Sequence, residues 1–185
     1  PSLLVIFVAM FAMRLQSYNS FIRDGEIYFS GNDGWYHYRE VMYTVQNWPS
    51  TMPFDPWTYY PYGTFQGQFG TLYDQIVATA ALIVGLGSPS PELVGKTLLV
   101  APAIGGALAV IPVYFIGKRL SGRVAGLFGA IVLLLLPGSF LSRTLAGVTD
   151  HNAIEPLAMI LAIASFVVAF QKAKATLPVW EVVRE

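Results

Sequence analysis

The chain has no cysteine, which excludes a disulfide framework and any cysteine-ligated zinc site. Charge is scarce too: only 12% of the 185 residues are Asp, Glu, Lys or Arg, and the formal net charge is zero. No stretch gathers the basic residues that a nucleic-acid surface requires. There is no internal repeat and no low-complexity segment. Residues 1–13 are apolar, with no basic flank before them and no small-residue cleavage motif after them, so they do not read as a signal peptide.

What the chain has instead is apolar bulk. Hydrophobic residues make up 55% of it and the mean hydropathy is +0.55, values that predict an all-α, polytopic membrane protein. Residues 1–14 read as the truncated end of a first span, closed by Arg14, whose long side chain can snorkel to an interface. Residues 15–92 read as a long external loop. Its 16–68 part is too polar to cross and is rich in Trp and Tyr, as expected for chain at the headgroup level. Turn signals stand at Asp24-Gly25, Asp33-Gly34, Asp55-Pro56 and Pro61-Tyr62-Gly63. Residues 93–117, 124–141 and 153–170 read as spans, whereas 69–87 has too short an apolar run for one.

The basic residues orient these segments. Lys118, Arg119 and Arg123 fall between two spans, and Lys172 and Lys174 follow the last, so both places are expected on the cytoplasmic side. Residues 142–152 are then external, and 16–92 lies on the same outer side only if 69–87 is a re-entrant or interfacial helix. A true span at 69–87, the alternative, would put Asp33 and Asp150 on opposite faces. The pairs Gly122/Gly126 and Gly105/Gly106 read as places of close helix packing.

Between the last two apolar runs lies a polar island, 142–155, holding Arg143, Asp150, His151, Asn152 and Glu155. Charge beside lipid is expensive unless paired or bound, so the island is a functional candidate. Asp33, in Gly31-Asn32-Asp33-Gly34-Trp35-Tyr36-His37-Tyr38-Arg39, can meet Asp150 if the topology is right. Two carboxylates with an amide oxygen or imidazole suit Mg2+ or Mn2+. Structural roles compete with this. Asn152 can cap the last helix with Glu155 as its partner, Asp33-Gly34 can be a plain turn, and Arg143, His37 and Arg39 can serve as headgroup contacts.

The Asn32-Asp33-Gly34 motif with its following aromatics, His37 and Arg39 resembles the first acidic motif of oligosaccharyltransferases of the archaeal and bacterial single-subunit kind. Phe54-Asp55-Pro56 with Tyr60-Pro61-Tyr62-Gly63 is similar to the rest of that family's first external loop. Arg143-Thr144-Leu145-Ala146-Gly147, ending in Asp150-His151-Asn152, resembles its second acidic motif. The three matches stand in family order across nearly the whole chain. The resemblance implies a GT-C glycosyltransferase in the cell membrane, multi-pass, with its active site on the external face. Such an enzyme moves an oligosaccharide from a polyprenyl phosphate or diphosphate carrier to Asn in an Asn-x-Ser/Thr sequon of an acceptor polypeptide, with Mn2+ or Mg2+ as cofactor.

By the same resemblance, Asp33, Asp150 and Arg143 are catalytic, and Asp33, Asp150, Asn152 and His151 hold the metal. His37, Arg39, Tyr62 and Glu155 are expected to contact substrate. Asn152 departs from the Asp, Glu or His usual at its position and brings no charge. Further helices and a soluble domain that reads the sequon are expected beyond Glu185, and this stretch alone is expected to be inactive. Another GT-C transferase using a lipid-linked sugar, such as a protein O-mannosyltransferase, and a non-enzymatic transporter or scaffold subunit are the competing readings.

Overall fold

The computed structural model describes residues 1–65 and 71–176. The start of the 69–87 segment, the side chain of Lys174 and residues 179–185 lie outside the described residues. Helices dominate, as expected. Helix α1 (Ser2–Leu15) leads through a 3-10 turn into a small hairpin, β1 (Ile22–Arg23) and β2 (Glu26–Ile27), which pair antiparallel with Ile22 opposite Ile27. Asp24 and Gly25, one of the expected turns, form its two-residue loop. Helix α2 (Gly31–Asn47) follows, then a second hairpin of β3 (Phe54–Asp55) and β4 (Thr64–Phe65), then α3 (Leu72–Val84). Helices α4 (Pro91–Leu108), α5 (Val110–Leu135), α6 (Ser139–Arg143) and α7 (Glu155–Thr176) complete the chain.

Helix α2 is the main departure from the expected loop. Asp33-Gly34 is not a turn but part of the first turn of this helix, where a carboxylate complements the positive end of the helix dipole. Gly34, His37, Val41 and Thr44 are buried at helical spacing and form the inward stripe. Three of those four are polar or lack a side chain, so hydropathy alone passes over the stripe. Val41 then joins Val77, Ala78 and Ala81 of α3 and Val94, Leu98 and Leu99 of α4 in one core.

Helix α4 starts two residues before the expected 93. Ser90 is its N-cap, with its side-chain oxygen accepting from the Leu93 N–H at 3.2 Å. Pro91 takes the first helical position, where no N–H is needed.

Helix α5 is broken at Ser121 and Gly122, the latter at φ +88°. Its two arms fold back on each other, because a Cβ on Gly117 would lie 2.9 Å from Gly126 Cα. Gly126 thus packs against Gly117, while Gly122 makes the turn, a correction to the pairing of Gly122 with Gly126. Lys118, Arg119 and Arg123 are exposed around this turn, which separates the two expected spans where predicted. The second arm stops at Leu135 rather than 141, since Pro137 and Gly138 (φ +86°) end it.

Arg14 does not snorkel. It is fully buried at the end of α1, where Nε donates to Thr144 Oγ1 at 2.8 Å and Nη1 to the Met10 carbonyl at 3.3 Å. Gly106 makes room for it, since a Cβ there would meet Arg14 Nε at 2.6 Å and Thr144 Cβ at 2.6 Å.

The stretches Ser2–Phe21, Pro91–Leu135 and His151–Ala173 are each long and apolar enough to cross a membrane, and Leu72–Val84 is a shorter apolar helix.

Candidate active site

The island at 142–155 is fastened to α4, α1 and the start of α2. Pro102 sits inside α4 and has no N–H to give to the Leu98 carbonyl four residues back. The Thr149 hydroxyl donates to that carbonyl instead, at 3.3 Å, and the Gly147 N–H donates to Leu99 O at 2.9 Å. The Ala146 N–H donates to Arg14 O at 2.9 Å, and Ser30 N–H to Gly147 O at 3.2 Å. These bonds set Asp150 against α2, because Thr149 is its neighbour and Ser30 is the N-cap residue of α2.

Asp150 is the hub. Its carboxylate accepts from the Asn152 N–H at 3.2 Å and from the Asn152 side-chain amide. His151 Nδ1 stands 2.7 Å from Asp150 Oδ1, and Arg143 Nη1 reaches from the rim to 3.8 Å from Oδ2. Asp150, not Asn152, therefore makes the cap, and the helix it introduces is the short 3-10 turn His151–Ala153; α7 begins at Glu155. Pro156 falls in the first turn of α7, where its missing N–H is tolerated.

His37 comes in from α2. Its Nδ1 lies 2.7 Å from Asp74 Oδ1, and its Nε2 lies 3.7 Å from Asp150 Oδ1 and 3.4 Å from both the backbone nitrogen and Nδ1 of His151. Burial opposes charge on this ring, but hydrogen bonds to Asp150 and Asp74 and their charges outweigh it and carry the pKa up to about 9. Burial also works against the ionised Asp150, yet the hydrogen bonds from His37 and Asn152 and the nearby His151 hold its carboxyl well below the usual carboxylate range. Asp74 is fully buried, and burial raises its carboxyl despite the His37 contact.

These groups line a cavity of about 570 Å3. Asp33 lines it too, from one turn before His37 on the same face of α2, together with Asn152, Arg39, Trp57 and Tyr59. The structure thus brings Asp33, Asp150, His151, Asn152, His37 and Arg39 to one cavity. Glu155 sits beside it, with Oε1 3.5 Å from His151 Nε2. Arg39 is already engaged, since Nη2 donates to Asp55 Oδ2 at 2.6 Å. Asp55 also accepts from the Trp57 N–H at 2.9 Å and from the Thr58 hydroxyl, the turn-forming role expected of it. Tyr62 is exposed and is not part of this lining.

One donor atom each from His37, Asp150 and His151 lies within 4.8 Å of the others, a spacing that one cation spans with metal–ligand bonds of about 2.0–2.6 Å. The donor set fits a divalent ion, with more imidazole in it than the oxygen-rich set expected. The placement of His37 among the candidate metal donors and its pairing with Asp74 are what the sequence reading missed. The four-residue spacing from Asp33 to His37 was the available signal for the first; nothing local marks the second.

The fold and the site define a helical protein with several apolar helices and a metal-competent cavity where the start of α2, residues 57–59 and the 150–152 turn meet. Its family is shown by comparison. The model of the oligosaccharyl transferase STT3 N-terminal region matches residues 3–182, and the chain belongs to that family.

The chain is 61% identical over 183 residues to the dolichyl-monophosphooligosaccharide–protein glycotransferase AglB of Haloferax volcanii, covering 99% of this chain and 17% of that protein. An Archaeoglobus fulgidus oligosaccharyltransferase crystallised with Zn and sulfate superposes with a TM-score of 0.83 at 31% identity, over 92% of this chain and 21% of that one. Archaeoglobus fulgidus AglB in complex with an inhibitory peptide and a dolichol-phosphate gives 0.82 at 31% identity, over 94% and 20%. The chain therefore spans about a fifth or less of the proteins it matches.

Proposed function

We propose that the chain is part of a membrane oligosaccharyltransferase. The enzyme would move an oligosaccharide from a polyprenyl phosphate or diphosphate carrier to the side-chain amide of Asn in an Asn-x-Ser/Thr sequon. One observation carries the reading: acidic residues from islands more than a hundred residues apart in sequence, Asp33 and Asp150, line a single cavity with both histidines of the chain. The relative's activity on dolichyl monophosphooligosaccharide and the neighbour's bound peptide and dolichol-phosphate support it.

Transfer breaks the bond between the anomeric carbon and a phosphate oxygen and joins that carbon to the amide nitrogen, whose lost proton passes to the released lipid phosphate or to water. A divalent cation bound here would supply Lewis-acid stabilisation to the departing phosphate. Asp150 and His151 would hold it, with Asp33 and the Asn152 amide oxygen completing the set. An imidazole beside carboxylates favours Mn2+ over Mg2+, which prefers oxygen alone. Arg143 adds a fixed positive charge at the rim for the phosphate. Asp33 accepts an N–H of the acceptor amide and orients its nitrogen.

The same reading places 15–92 and 142–152 on the external side, with Lys118, Arg119 and Arg123 inside. Helix α3 supports it: at 13 residues it is about 20 Å long, short of a hydrocarbon core of about 30 Å. Residues 93–117, 124–141 and helix α7 would be the spans, the second using residues 136–141 beyond the end of α5 to complete its crossing.

Asp33→Asn in the full-length enzyme is expected to lower transfer to a sequon peptide by about 100-fold or more. Its melting temperature should not change, because Asp33 is exposed. Full activity in that variant would end the proposal.

A further inference from the structure

His37 is 1% exposed and Asp74 0%, and no soluble-protein logic puts such a pair there for stability alone. A buried carboxylate is costly unless its partners satisfy it, and here Asp74 Oδ2 has no hydrogen-bond partner among the described residues. What the pair does achieve is direction. With the Nδ1–H given to Asp74 at 2.7 Å, Nε2 is aimed at the corner where Asp150 Oδ1 (3.7 Å) and His151 Nδ1 (3.4 Å) stand, and a cation binding there displaces the Nε2 proton to use its lone pair. The Tyr73 ring, packed edge-on at 5.0 Å between centroids, closes the other side of the imidazole. The His151 backbone nitrogen also faces Nε2 at 3.4 Å, which suits an accepting Nε2.

We propose that Asp74 is a positioning residue for the cation site, and that His37 Nε2 is one of the cation's ligands. The arrangement is a carboxylate–histidine–metal relay: the outer carboxylate fixes the tautomer and the ring plane and makes the inner nitrogen a better donor. It rests on the transferase reading only for the use to which the cation is put. It also assigns α3 a function. The helix is too short to span, and its first turn carries the group that orients a ligand held on α2. Because Asp33 stands one turn before His37 on α2, a fixed His37 also fixes where Asp33 faces the cation.

The test uses the full-length protein in detergent and Mn2+ alone as the probe, with affinity read by calorimetry or by the loss of the free-ion electron paramagnetic resonance signal. Asp74→Asn is expected to weaken Mn2+ binding on the order of 10- to 100-fold. The metal-free variant should still fold, because the Asn side-chain oxygen can accept the His37 Nδ1–H in place of the carboxylate. His37→Ala is expected to weaken binding similarly, and the double variant no further, because both changes remove one ligand.

Wild-type affinity in Asp74→Asn overturns the proposal, and so do losses that add in the double variant. Should Asp74→Asn fail to fold, wild-type affinity in His37→Gln overturns it as well. Glycan transfer by the wild type, measured alongside, separates the two ideas. Transfer with an unaffected Asp74→Asn affinity sinks the relay and leaves the transferase; weakened Mn2+ binding without any transfer from lipid-linked donors does the reverse.

Discussion

Glu40 is the residue whose titration has the clearest thermodynamic sign. It is buried on α2, and burial first, then the charges of Asp74 and Asp55, push its pKa up to about 7 against the pull of Arg39 and His37. The folded chain then holds this proton more tightly than the unfolded one, so stability is lost as pH rises from about 4.5 through 7. Glu40→Gln removes that loss. In thermal scans of the full-length protein, the variant is expected to melt with wild type at pH 5 and above it at pH 8.

Asp55 has the opposite sign. Burial is outweighed by hydrogen bonds from Thr58, Trp57 and Arg39 and its carboxyl is lowered. Its contribution is present above the usual carboxylate pKa and fades as pH falls through the lowered value. At this scale the sequence was partly legible. Asp33, Asp150 and His151 declared themselves as ionisable groups beside apolar runs, but burial, which decides what Arg14, Glu40 and Asp74 do, is not a property of any one residue.

Among the elements, the segment 144–150 depends on one backbone position. Gly147 has φ +88°, and a Cβ on it would lie 2.1 Å from the Phe21 ring. Gly147→Ala combines a backbone strain of about 1–3 kcal/mol with that clash, and it displaces Asp150 three residues on. The variant is expected to lose several degrees of melting temperature and most of its activity. Adding Phe21→Ala should recover only the steric part, which a melting series of the two single variants and the double variant would resolve. The fastening of Thr149 to the Leu98 carbonyl follows the same logic. A proline in α4 frees an acceptor that a polar residue 51 positions later satisfies. Pro102 is visible in the sequence as a helix defect, while its partner is not.

For the molecule as a whole, the absence of cysteine turns a topology question into a simple experiment. Single cysteines at Ser88, between α3 and α4, and at Ser121, in the turn of α5, are expected to react with a membrane-impermeant maleimide from opposite sides. Ser88 should label from outside in intact cells and Ser121 only after lysis. A third single cysteine at Ser50, between α2 and β3, is expected to label from outside like Ser88; labelling of Ser50 and Ser88 from opposite sides would place a crossing where none is proposed, at α3.

The sequence by itself determined the order of apolar runs, the Asp24-Gly25 hairpin turn, the basic turn between the arms of α5, and the two acidic islands. These are local signals, written within one helical turn or one loop. The tertiary structure alone decided that 31–47 is a helix and that Arg14 is buried against Thr144. It also decided that Asp74 meets His37, and that Asp150 rather than Asn152 makes the cap. Each of those outcomes depends on which distant groups share a desolvated space, where an unpaired charge or carbonyl costs several kcal/mol. That cost is settled only when the helices pack.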